Sequence, residues 1–200
     1  MRFLAVAVLG SLTACGGTGV KNEPVRQEAS FLAGARGASV ELLTSRELEE
    51  IARLEDQRSL GDGRLLELLK GDRDGRIRLR AAIALGRFPF PRFGVDVTTG
   101  LVRALEDPDL PVRLAAAFAL GLRADPASGG TLLAYRNDPD ATLRARVVEA
   151  ASKIPDPALH LPLTLALRDA DLSVRMEAAI GAARWPTDEK SAAEVDRALL

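Results

Sequence analysis

Four times along this 200-residue chain, an aspartate is followed by a second aspartate two residues on and an arginine six residues on. The second aspartate and the arginine are Asp74 and Arg78, Asp109 and Arg113, Asp140 and Arg144, and Asp171 and Arg175. Carboxylates beside guanidinium groups invite a catalytic or a phosphate-binding reading. Three further features could carry chemistry: the single Cys15, the single His160 and the run Gly129-Gly130-Thr131. Each has a narrow range. One cysteine excludes an intrachain disulfide and a cysteine-clustered zinc site. His160 has no second histidine to share a metal and stands before Leu161-Pro162, as a surface or helix-start histidine would. Gly129-Gly130-Thr131 lacks the Lys-Ser/Thr of a phosphate loop and reads as a turn with a cap. Asp-Pro-Asp lacks the glycine and distal glutamate of a calcium loop. No metal, cofactor or catalytic residue is expected.

Composition narrows the partner class. Lys and Arg number 27 against 28 Asp and Glu, a net charge of −1, so the basic excess of a nucleic-acid binder is missing. Hydrophobic residues make up 47% but aromatics only 4%. A core of Leu, Ala and Val suits close-packed helices better than a sheet.

The elements that must position the repeated charges follow from the same spacing. The first aspartates, Asp72, Asp107, Asp138 and Asp169, recur every 31 to 35 residues. Counted from each, an aliphatic residue falls at +5, the arginine at +6 and small or aliphatic residues at +9 and +13. That is the rhythm of an amphipathic helix. The aspartate at +2 is placed to cap it. A short apolar stretch precedes each aspartate: Leu65 to Leu69, Leu101 to Leu105, Leu132 to Tyr135 and Leu163 to Leu167. Prolines at +1 or +4, with Pro89, Pro155 and Pro186, mark the unit boundaries. Each unit is therefore two helices that cannot bury their apolar faces alone and must stack on their neighbours.

The second unit, Asp107-Pro-Asp109-Leu-Pro-Val112-Arg113-Leu-Ala-Ala116-Ala-Phe-Ala-Leu120-Gly121, closely resembles the short bacterial type of HEAT repeat. The resemblance covers residues 64–186 directly. It implies an all-α fold, a right-handed superhelical α-solenoid of about four and a half two-helix repeats over 64–200. It also implies that the aspartate at +2 caps the second helix. The arginine then bridges to the neighbouring unit, a structural ladder rather than a site. Residues 45–63, with a charged stretch from Ser45 to Leu60, read as an N-terminal capping helix. Thr187 to Leu200 reads as the first helix of a fifth unit. The implied function is a non-catalytic protein-binding scaffold. The alternative is the non-catalytic arm of a longer or multi-subunit enzyme of lyase or isomerase type.

The amino terminus reads as an address. Met1-Arg2 is followed by an apolar run from Phe3 to Leu12, too short to span a bilayer but right for a signal peptide. Leu12-Thr13-Ala14-Cys15 resembles the lipobox of bacterial lipoproteins. The resemblance implies cleavage after residue 14, a lipid anchor on Cys15 and a place in the bacterial cell envelope, with Gly16 after the cysteine favouring the outer membrane. Residues 15–44, rich in glycine and without lasting periodicity, read as a flexible tether.

Two apolar features remain. In the family resembled, offsets +7 and +11 of the second helix are variable and face the concave side. Here they are Leu79 and Ile83, Leu114 and Phe118, Ala145 and Glu149, and Met176 and Ile180. Residues four apart share a helix face, so the apolar pairs either form a stripe for a protein or peptide partner, or for self-association, or pack within the array. The run Phe88-Pro89-Phe90-Pro91-Arg92-Phe93 holds the four extra residues of the first spacing. Phe88 falls on a core offset. Phe90 and Phe93 either plug the gap between units, the favoured reading, or form a contact loop.

Overall fold

The computed structural model describes residues 38–184. The chain divides into two compact units, Met1–Val40 and Glu41–Leu200, and nearly all the described residues belong to the second. The signal peptide, Cys15, most of the tether and the expected helix at 187–200 lie outside the described residues.

The described residues contain nine α-helices and no strand. The first, α1 (Ala38–Asp56), starts seven residues before the expected Ser45, because the last helix breaker upstream is Gly37. Its Ile51 and Leu54 are buried. Four two-helix units come after it: α2 (Arg64–Leu68) with α3 (Gly75–Gly86), and α4 (Gly94–Ala104) with α5 (Leu110–Arg123). The third pairs α6 (Gly129–Ala134) with α7 (Ala141–Ala151), and the fourth α8 (His160–Thr164) with α9 (Leu172–Ala182). Short 3-10 turns flank α6 and α8. Gly129 and Gly130 are the first residues of α6; the expected turn lies one step earlier, at Pro126–Ser128, where Asp125 caps it.

The periodic offsets form the core. Ile77, Val112, Leu143 and Val174 at +5, and Ala81, Ala116, Val147 and Ala178 at +9, are all 0% exposed. The second helices stack as α3 on α5 on α7 on α9. Glycine sets their distance of approach. A Cβ on Gly86 would stand 2.6 Å from the Cα of Ala119, and one on Gly121 would stand 2.7 Å from the Cα of Ala150. The array is an α-solenoid of units that bury their apolar faces against one another.

At +16 the second unit departs from the pattern. Phe88 and Ile154 are apolar and buried there, but unit two carries Arg123, only 3% exposed. Its guanidinium donates to the carbonyls of Phe88, Arg92 and Gly94 in the inserted loop. Phe93 plugs the gap as favoured, packing edge-on to Phe88 with ring centroids 5.4 Å apart. Phe90 does not, being 44% exposed.

Candidate functional site

The repeated charges close one kind of turn, used four times. The chain turns at the Asp-X-Asp segment, and the arginine at +6 folds back to close that turn. Arg113 donates to the carbonyls of Asp107 and Pro108, Arg144 to those of Asp138 and Pro139, and Arg175 to those of Asp169 and Ala170. Arg78 donates to the carbonyl of Arg73 at the matching place. The first aspartate of the turn accepts the backbone N–H of the second, at 2.9 Å for Asp107, 2.8 Å for Asp138 and 2.8 Å for Asp169.

Two of these arginines also cross to the next unit. Arg78 grips Asp107 through Nε at 2.7 Å and Nη2 at 2.8 Å, with both side chains almost fully buried. Arg144 grips Asp169 in the same fork at 2.9 and 2.8 Å. The electrostatics agree with the geometry. Burial alone would raise the Asp107 carboxyl, but the Arg78 guanidinium and the Asp109 N–H outweigh it and hold it below the usual carboxylate range. The hydrogen bond from Arg144 likewise holds Asp169 low against its burial. A two-pronged pair of this kind fixes register as well as adding energy.

The structure corrects the expected ladder in three places. The rungs end on the first aspartate of each unit, Asp107 and Asp169, and only Arg78 also reaches a second one, Asp109. The fixed recurrence of both aspartates could have suggested this. Second, Asp74, Asp140 and Asp171 cap their helices, but Asp109 makes no side-chain cap bond. Its carboxylate instead accepts from Arg78 Nη2, which it shares with Asp107, at 2.9 Å. It has room to do so because position 75 is glycine: a Cβ there would lie 2.2 Å from Asp109 Oδ2.

Third, Arg113 makes no bond to Asp138 and stays within its own turn. The joints differ three residues before each receiving aspartate. Ala104 and Ala166 occupy that place at the joints that form, and Tyr135 occupies it at the joint that does not. The half-buried Tyr135 phenol sits among Arg113, Glu106 and Asp138. Its pKa is raised by burial and by the two acids, with Arg113 opposing.

The expected partner stripe divides. Leu79, Ile83 and Leu114 are half-buried and packed against the core, so they belong to the seams between second helices and not to a free face. Close stacking of glycine against alanine draws the seams shut over them. Phe118 is half-buried, with the Arg146 guanidinium and the Lys153 ammonium each 5.7 Å from its ring centroid. Glu149 pairs with both cations. Only Met176 and Ile180 stand open, at 55% and 45% exposure.

Among the described residues, no cluster of His, Cys, Asp and Glu is arranged to hold a metal, and no helix is long and apolar enough to cross a membrane. His160 opens α8, where its carbonyl accepts the Thr164 hydroxyl. An open groove of about 760 Å³ runs along α2 and α4 between Leu66, Leu69, Val95 and Gly100.

Residues 64–152 match the family of HEAT repeats, which covers the first three units. No curated protein matches the chain. Residues 64–152 are thus similar to HEAT repeats, which commonly mediate protein–protein interaction and typically act as non-catalytic scaffolds.

Proposed function

We propose that this chain is a non-catalytic scaffold, held at the bacterial envelope by lipid on Cys15, that binds a protein or peptide partner. One observation carries the scaffold half. Among the described residues, the charged constellation repeated in every unit closes turns and, at Arg78 and Arg144, joins units, so its guanidinium groups already have their acceptors. A stack of this kind presents extended helical surfaces, the arrangement that repeat proteins use to bind partners. The anchor half rests on Leu12-Thr13-Ala14-Cys15 behind its apolar run. Several acyl chains give stable anchoring where one alone holds only marginally.

The experiment has two readouts on the full chain in a bacterial host. Mass spectrometry of the mature amino terminus finds an acylated Cys15, and Cys15→Ser leaves the protein unprocessed. Crosslinking in intact cells recovers a distinct protein bound to the wild type. An unmodified terminus at another residue removes the anchor. A chain that crosslinks to nothing removes the scaffold.

A further inference from the structure

Counted from the first aspartate of each unit, offsets +8 and +15 lie two turns apart on one side of the second helix. In unit one they are Arg80 and Arg87, in unit two Ala115 and Leu122, and in unit three Arg146 and Lys153. Because α3, α5 and α7 stack in that order, the pairs form one strip: cations, an apolar step, cations. In unit four the pair is Glu177 and Arg184, one of each sign, so the cationic strip spans units one to three.

Each cation pair stands over one sunken acid. Arg80 and Arg87 both pair with Glu55 of α1, whose side chain is 9% exposed. Arg146 and Lys153 both pair with Glu149, whose side chain is 16% exposed. Burial alone would raise the Glu149 carboxyl, but Lys153 and Arg146 outweigh it and hold it below the usual carboxylate range. Two positive charges over one negative leave each cluster with a positive surplus, in a chain whose net charge is −1. All four cations are more exposed than the acids they share, so the surplus faces outward. A guanidinium has several N–H donors, and Arg87 and Arg146 each give one to their acid. Between the clusters Leu122 is 43% exposed. One turn before it, the Phe118 ring lies against the Arg146 and Lys153 charges.

We infer that this strip binds an extended acidic segment of a partner protein, its carboxylates over the two cation clusters and an apolar side chain on Leu122 and Phe118. The inference rests on the scaffold reading and names the chemistry of the partner. Charge complementarity selects the sign: each cluster lacks one negative charge, and an incoming carboxylate supplies it without displacing the acid beneath. The stacking sets the spacing. Packed helices lie about 8–10 Å apart, and an extended chain advances about 3.3 Å per residue. Clusters two units apart therefore match carboxylates about five or six residues apart, with the apolar side chain midway.

The test is fluorescence anisotropy on the full chain, purified in a neutral detergent. The probe is a labelled glycine-serine peptide that carries two glutamates about six residues apart and a leucine midway. The expected result is binding that weakens with added salt and falls by about tenfold or more when both glutamates of the peptide become glutamine. Arg87→Gln with Lys153→Gln, in which each sunken acid keeps one cation, brings a similar loss. Arg103→Gln on the exposed side of α4 changes the affinity by less than about twofold. The change in the peptide needs no protein variant, so it decides the matter even if the double variant unfolds. A glutamate peptide that binds no tighter than its glutamine form, or an equal loss in Arg103→Gln, overturns the inference. So does a wild type that binds phosphatidylglycerol vesicles and not the peptide, with the vesicles lost in the double variant; the strip is then a membrane contact. In cells, partner crosslinking that survives the double variant overturns the strip and leaves the scaffold standing, whereas crosslinking absent from the wild type overturns the scaffold itself.

Discussion

The guanidinium of Arg123 donates to the carbonyl of Phe88 at 2.5 Å, and this bond joins two departures from the repeat. The loop after Phe88 carries extra residues, and the next unit places a buried arginine where its neighbours place an apolar side chain. The loop supplies carbonyls in place of a counter-ion. Burial lowers the pKa of Arg123, opposed by the nearby charge of Asp125.

Replacing Arg123 with isoleucine makes unit two apolar at +16, like unit three, yet leaves the loop carbonyls without a donor. Stability should fall by about 2–4 kcal/mol. Trypsin should also cut faster after the exposed Arg92. A melting temperature at or above that of the wild type would show that the carbonyls do not need the arginine.

Glycines at the seams and glycines elsewhere should respond oppositely to alanine. Gly86→Ala and Gly121→Ala drive a Cβ into the backbone of the neighbouring helix and should cost about 1–3 kcal/mol. Gly130→Ala on α6 meets nothing within 4 Å and should gain up to about 1 kcal/mol from helix propensity. Chemical denaturation of the three variants checks the sign of each.

Acid should open the joints. Asp107 and Asp169 have folded values held below the unfolded value of about 3.9. Their contribution is therefore complete above that value and is lost as pH falls through the depressed folded values. Asp107→Asn should flatten the decline in stability below about pH 4. An identical acid profile in the variant would place the acid-sensitive groups elsewhere.

The repeat was legible because it is written in period: the core offsets and the caps at Asp74, Asp140 and Asp171 follow from spacing, and the bridging of Arg78 and Arg144 was what the resemblance to HEAT repeats implied. What was not legible depends on distance between helices. Whether Leu114 faces solvent or a seam is decided by how closely Gly121 lets α5 approach α7, and no periodicity reports that. Asp109 left its cap because Gly75 in another unit makes room. Arg113 does not bridge, and its joint is the one where a tyrosine stands in place of alanine. Such outcomes need two units read together, residue against residue.

Tyr135→Ala should let Arg113 reach Asp138. In that background Arg113→Ala should cost more than it does in the wild type, by about 1 kcal/mol or more. Equal costs in the two backgrounds would show that the tyrosine does not hold the joint apart.

The central claim is that the recurring aspartates and arginines are joints, and a double-mutant cycle on Arg78 and Asp107 tests it most directly. Arg78→Ala alone should cost about 3–5 kcal/mol, because it strands a buried carboxylate. Together with Asp107→Ala, the coupling energy should exceed about 1.5 kcal/mol. The same cycle on Arg113 and Asp138 should give coupling within about 0.5 kcal/mol of zero. Coupling near zero for Arg78 and Asp107, with partner crosslinking lost from a fully folded Arg78→Ala protein, would contradict the account and make these charges a binding site.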